Sequence, residues 1–290
     1  MSQIVLQSLK KFTNNDIYFM EVVEEKIIIN DNYDGVLILD SDLNILKSIR
    51  LLEELSIDTS FLNNQQIVLY CYENQCLIYI NIDTYEYKII SLSADFEDKV
   101  FLSLYEWVDI DLFLIADDGD FFAYVNLNSG EVQSAERDII DKLSFSIKND
   151  WKKLSQFLVH KIYVQRAEAV IEKNNVIKLI NYKKQEEAIL DIEPFEMEPL
   201  FFYDVEVMEM CIAQISEKEI LLYCTNKKST LLPNYPQYSF VRGKFISAND
   251  EIFILLLSSS NSESSEAVIE KYYIGDKSLR EKDRTYVSNR

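Results

Sequence analysis

Glycine is scarce in this chain, with five in 290 residues, and there are only four prolines. A phosphate-cradling loop of the GxGxxG or GxxxxGK[ST] kind has no candidate, because such loops need glycine wherever backbone approaches a phosphate. Nucleotide cofactors are therefore not expected, and no other cofactor is called for. The four cysteines (Cys71, Cys76, Cys211 and Cys224) are too few to staple a chain of this length. Cys71 and Cys76 sit in "VLYCYENQCLIYI", a spacing that does not match the CxxC zinc knuckle, so they read as reduced structural thiols. The single histidine, His160 in "FLVHKIYV", reads as a mid-strand residue, and there is no GxSxG nucleophile elbow. A triad hydrolase is thereby excluded. Trp107 and Trp151 are the only tryptophans, which leaves few platforms for a sugar ring. No stretch approaches the roughly 18 apolar residues that span a bilayer. The start, "MSQIVLQSLKKF", lacks the order of a secretory signal. A cytoplasmic protein is expected, with no membrane contact.

Basic charge is missing from the first half. Residues 1–150 hold 10 Lys+Arg against 28 Asp+Glu, and residues 151–290 hold 19 against 21. Direct binding of nucleic acid or an anionic membrane through the first half is electrostatically disfavoured, and a cationic partner is favoured.

What the chain does contain is strand after strand. "DIYFMEVV", "GVLILD", "QIVLYCYE", "CLIYINID", "DLFLIA" and "FFAYVNL" are short runs of β-branched, aliphatic and aromatic residues bounded by Asn, Asp, Gly and Ser. Many alternate only partly, as strands buried on both faces do. Landmarks where an apolar strand meets a polar turn fall at Asp40, Asp83, Asn128, Asn181, Thr225 and Gly275, in steps of 43, 45, 53, 44 and 50 residues. Each unit holds three or four strands, the content of one propeller blade. The long step contains "SAERDIIDKLSFSIKNDWKKLSQFLVH", whose apolar spacing predicts a short helical insertion near 135–158. A domain boundary at the same place, between two groups of three units, is the alternative.

This rhythm, across about residues 5–275, resembles β-propellers of the broad WD40 and quinoprotein-like class, although their Gly-His and Trp-Asp dipeptides are absent. The resemblance implies an all-β fold: a β-propeller of about six blades (five to seven), as a single domain over 1–274 with a flexible tail at 275–290. Five glycines are few for such a repeat.

"IIINDNYDGVLILDSDLNIL" places Asn30, Asn32, Asp34 and Gly35 in the spacing of a calcium loop. An EF-hand loop needs flanking helices and a carboxylate at its twelfth position, which here is Ser41. The calcium repeats of integrin-like propellers carry an acidic residue three places after the glycine, where this chain has Ile38. No metal is expected, and Asp34-Gly35 reads as a type I′ hairpin turn, as does Asp118-Gly119.

The densest feature is acidic. Asp95, Glu97, Asp98, Glu106, Asp109, Asp111, Asp117, Asp118 and Asp120 face a single Lys99, with Trp107 among interspersed aromatics. Displayed on one rim, these residues would steer a basic protein towards an apolar anchor. The composition is similar to that of bacterial toxin-immunity proteins: strongly acidic, rich in Ile, Asn, Lys and Tyr, and without a catalytic motif. That likeness implies a non-enzymatic binding protein whose partner is a basic toxin domain, for example a nuclease. A propeller scaffold for several partners is the alternative. A carbohydrate-active enzyme, which needs only two carboxylates, ranks behind both.

Overall fold

The computed structural model is all-β. It describes residues 4–63, 65–92, 101–108, 111–116, 122–134, 162–165, 168–173, 176–181, 186–191, 200–204, 211–215, 220–224, 227–232, 234–235, 237–260 and 265–276, with side-chain surroundings for 4–62, 65–92, 124–133, 230–232, 234–235, 237–260 and 265–275. Among the described residues there is no helix, and so none long and apolar enough to cross a membrane. The expected helical insertion at 135–158, with Trp151, and also His160 lie outside the described residues.

The strands run as six antiparallel four-stranded sheets among the described residues. After β1 (Val5–Thr13) come β2 (Met20–Val23), β3 (Lys26–Asp31), β4 (Gly35–Leu39) and β5 (Ile45–Arg50), paired in that order. The same meander is repeated by β6 (Thr59–Asn63), β7 (Gln66–Cys71), β8 (Cys76–Asn81) and β9 (Tyr87–Ser91). A third sheet follows in β10 (Phe101–Val108), β11 (Asp111–Ala116), β12 (Phe122–Asn126) and β13 (Glu131–Ser134). The fourth comprises β14 (Ile162–Gln165), β15 (Glu168–Lys173), β16 (Val176–Asn181) and β17 (Glu186–Asp191). The fifth comprises β18 (Leu200–Asp204), β19 (Cys211–Ile215), β20 (Ile220–Cys224) and β21 (Lys227–Leu231). The last three strands, β22 (Ser239–Ala248), β23 (Glu251–Ser259) and β24 (Glu266–Asp276), form a sheet whose fourth member is β1. β24 thus continues through Asp276, and the residues after it lie outside the description.

Two compact units divide the chain: Met1–Glu54 with Phe195–Arg290, and Leu55–Pro194. Each contains three of the sheets. The boundaries fall after Glu54 and after Pro194, where composition marks no break.

In the first unit, β22 runs alongside β2 and β18. β23 explains why its sequence, "EIFILLLSS", lacks clean alternation. Phe253, Leu255 and Leu257 pack with Met20, Ile27 and Ile29, while Ile252, Ile254 and Leu256 pack on the other face with Phe245 and Leu231. A strand covered on both sides needs apolar residues at every position, and each fully buried Ile or Leu contributes roughly 1.5–3 kcal/mol. β1 joins the chain's two ends, pairing from Val5 opposite Tyr273 to Thr13 opposite Glu266.

In the second unit β10 lies beside β6 and β14. Phe61, Val68, Tyr70, Leu77 and Ile90 pack with Val125 and Leu127 of the following sheet. Cys71 and Cys76 are register partners at the end of the β7–β8 hairpin, both buried and both free thiols.

The turns explain how the fold manages with so little glycine. Among the described residues, positive φ is carried by Asn14, Asn32, Asn249 and Asp250, at 59°, 49°, 52° and 63°, residue types that tolerate the left-handed region, and also by Glu24, Glu54, Gln75 and Tyr85, at 54°, 56°, 48° and 61°. Leu43 does so at 67° and is held there by burial at 3% exposure. The turn between the third and fourth strands of a sheet has its own device. The Asp40 carboxylate accepts the Asp42 and Asn44 N–H groups at 2.9 and 2.8 Å. The Asn81 side chain accepts those of Asp83 and Thr84, each at 3.0 Å, and Asn126 accepts that of Ser129 at 2.8 Å. The structurally equivalent residues are therefore Asp40, Asn81 and Asn126, two places earlier than the sequence landmarks in the second and third sheets.

Gly35 is required for a reason the type I′ expectation missed. Asp31 pairs with Gly35, so the turn is Asn32-Tyr33-Asp34, closed by the Asp34 N–H on the Asp31 carbonyl at 3.1 Å. The left-handed residue is Asn32, and Gly35 is a strand residue. A Cβ there would lie 2.0 Å from the Ile49 carbonyl oxygen on β5. Asp118-Gly119, the second expected hairpin turn, lies outside the described residues.

Candidate functional site

Most of the acidic stretch singled out from the sequence (Asp95, Glu97, Asp98, Asp109, Asp117, Asp118 and Asp120) lies outside the described residues. Glu106 and Trp107 belong to β10 and Asp111 opens β11, with their side chains likewise outside the description. The β10–β11 ladder has Phe101 opposite Ala116 at one end and Val108 opposite Asp111 at the other.

The described part of the same unit is also acidic. Asp58, Glu73, Glu86 and Glu131 are exposed and have no cationic partner among the described residues. The Lys88 ammonium donates to the Asn128 carbonyl at 2.5 Å instead of to a carboxylate.

At the entry to β2, the residues that resemble a calcium loop form a hydrogen-bonded knot. Asn30 is fully buried. Its side-chain oxygen accepts the Tyr18 and Phe19 N–H groups, both at 2.9 Å, and its amide donates to the carbonyls of Asp16 and Asn32 at 2.6 and 2.7 Å. All of its hydrogen-bonding capacity on these atoms is used by backbone. No group of three or more potential metal ligands occurs among the described residues. Beside the knot, Tyr33 stacks on Tyr18 at 5.5 Å and donates its hydroxyl proton to Asp16 at 2.6 Å. That bond, with burial as a smaller cause, pushes the Tyr33 phenol up to about 12.

A second cluster joins β2 to β22. Glu21 is 4% exposed and pairs with Lys244 at 2.8 Å, while its other oxygen accepts the Val22 N–H at 3.0 Å. Two residues before Lys244, the Arg242 guanidinium sits 5.1 Å over the Phe19 ring, and its Nε donates to the Tyr18 carbonyl at 3.3 Å. Burial holds Arg242 below the ordinary arginine range, partly opposed by the Glu21 charge. Sequence reasoning does not find these residues, because partners some 223 residues apart leave no local pattern.

Glu270 on β24 is a buried carboxyl of another kind. One oxygen accepts the Asn234 N–H at 3.1 Å. The Tyr272 hydroxyl, on the same face of the sheet, interacts with the Glu270 carboxyl, and the Ser258 hydroxyl there is buried without a partner among the described residues. Burial raises the Glu270 pKa above its ordinary 4.5. A carboxyl that binds its proton more tightly in the folded state contributes stability below about pH 4.5, and loses it as pH rises through the folded-state value. Glu270→Gln is expected to remove this loss. In urea unfolding from pH 4.5 to 8, the variant should gain on the wild type as pH rises, and a constant difference would exclude the titration.

Together the ladders and these clusters define a class: an all-β protein of successive four-stranded antiparallel sheets, with charged side chains of β2, β22 and β24 wholly or partly buried. No protein-family model matches the chain, and neither does any curated protein. Among solved structures it is similar to YCF48 from Cyanidioschyzon merolae, at 9% identity and a TM-score of 0.45, covering 93% of this chain and 86% of that one. It is also similar to the AfRom2 CNH domain, at 13% identity and a TM-score of 0.42, covering 93% and 98%. A chain of the mitotic checkpoint complex matches at 7% identity with a TM-score of 0.40, covering 90% and 75%.

Proposed function

We propose that the chain is a non-enzymatic protein-binding module, built as a six-bladed propeller, that captures a basic protein partner on its acidic surface. Three features support the propeller reading. The four-stranded meander repeats six times among the described residues, β1 completes the last sheet, and first strands lie side by side within each unit. The observation that carries the functional reading is the absence of neutralisation: exposed Asp58, Glu73, Glu86 and Glu131 have no cationic partner among the described residues, in a chain of net charge −20. Unpaired surface carboxylates repel one another and offset part of the folding energy, and a basic partner relieves that cost on binding. The partner class that the composition suggests is a cationic toxin domain, which an acidic surface would occlude.

The test changes charge and leaves the fold intact. Asp109, Asp111, Asp117 and Asp118 are replaced by Asn, and association with a co-purifying basic partner is followed at low and moderate salt. Electrostatic capture requires the association rate to fall about tenfold at low salt, with a flatter salt dependence. An unchanged rate would reduce these carboxylates to a solubilising role. Several partners of moderate affinity, indifferent to the substitutions, would favour a scaffold instead.

A further inference from the structure

We propose that Arg242, on β22, is the recognition site for a single carboxylate group. The proposal is independent of the acidic surface and its basic partner.

An arginine carries five N–H donors in a flat fork. Arg242 uses one of them, Nε, on the Tyr18 carbonyl. Its two Nη groups have no acceptor among the described residues, and no carboxylate lies within ion-pairing distance of it there. The Glu21 carboxylate, whose charge acts on Arg242, is already held by Lys244 at 2.8 Å and by the Val22 N–H. Arg242 is half-buried, and its guanidinium is placed by the Phe19 ring beneath it. A partly desolvated guanidinium with four donor hydrogens unused among the described residues is costly to leave unmatched. Its outer edge presents parallel N–H groups at the separation that a carboxylate accepts in a two-bond pair. Phe19 and Tyr18 fix the plane in advance, so little rotational freedom is lost when that pair forms.

The ligand's charge follows from the rest of the chain. A net charge of −20 repels polyanions, and a single guanidinium cannot offset several approaching charges. A ligand bearing a single carboxylate meets a smaller repulsion than a polyanion does. It has two sources, a small free organic acid and an acidic side chain of a protein.

The guanidinium signals of the nitrogen-15-labelled protein would be titrated with sodium acetate, ionic strength being held constant with sodium chloride. A blocked peptide carrying one glutamate would be titrated alongside. The expected result is a saturable shift of the Arg242 signal in the wild type, and no saturable acetate-dependent rise in thermal midpoint for Arg242→Gln. Arg242→Lys, which keeps the charge but loses the flat edge, should bind acetate about tenfold more weakly, and it serves as the comparison if Arg242→Gln does not fold. Tighter binding of the peptide than of acetate assigns the ligand to a protein side chain, and the reverse assigns it to a free acid. The proposal is overturned if acetate acts no differently from chloride, if the Arg242→Gln midpoint responds as the wild type's does, or if inorganic phosphate binds as tightly as acetate.

Discussion

Replacing Asn30 by alanine is expected to lower the unfolding free energy by about 4 kcal/mol, a large loss for a single polar side chain. The side chain makes four hydrogen bonds, all to backbone groups, at 0% exposure. Removing it leaves the N–H groups of Tyr18 and Phe19 and the carbonyls of Asp16 and Asn32 facing a hole that water reaches poorly. Each orphaned group costs about 1–3 kcal/mol, and partial collapse returns some of that. Asn30→Asp is the sharper control. It preserves shape and both accepted bonds, but it replaces two donors with carboxylate oxygen 2.6 and 2.7 Å from carbonyls. Aspartate should therefore also destabilise strongly, and most at neutral pH, where it is charged. Urea midpoints of the two variants decide the matter: a loss under about 1 kcal/mol for Asn30→Ala would mean that the knot reorganises freely.

Gly35→Ala comes second, with an expected loss of about 3 kcal/mol. The obstacle is backbone: the new methyl group would meet the Ile49 carbonyl oxygen at 2.0 Å, with the Arg50 Cα at 3.0 Å. No side-chain rotation relieves that contact, so β5 must move away from β4 or the ladder must break. Ile49, 5% exposed, would be the first core residue disturbed. The signature is a lower denaturant midpoint together with faster hydrogen exchange along β4 and β5 and little change elsewhere. A neutral variant would show that the close approach of the two strands is not required by packing.

These two residues also show where sequence reasoning reaches and where it stops. Asn30 and Gly35 stand out in the sequence, but as parts of a loop pattern and a hairpin turn. Their roles in the fold are a backbone clamp and a point of close strand approach. Both depend on what lies opposite in space: residues 14–19 for Asn30, and β5 for Gly35. The scarcity of glycine has a structural counterpart, since nine non-glycine residues, four of them asparagine or aspartate, take positive φ among the described residues. The repeat itself is legible, because in the first three sheets the third-strand turn begins with a side chain that accepts backbone N–H groups. The acidic stretch is legible as composition, whereas the pairing of Asp111 with Val108 requires the β10–β11 register.

The sequence by itself determined the all-β character, the positions of the strands and the recurrence of a strand meander, because alternation, β-branched runs and turn residues are local properties. Tertiary structure alone decided that β1 completes the last sheet, that Glu21 meets Lys244 across 223 residues, and that Lys271 donates to the Ser41 carbonyl across 230. Such partners share no periodicity along the chain. They meet only when apolar faces bury against one another and bring distant strands into register, and that is a property of the assembled sheets.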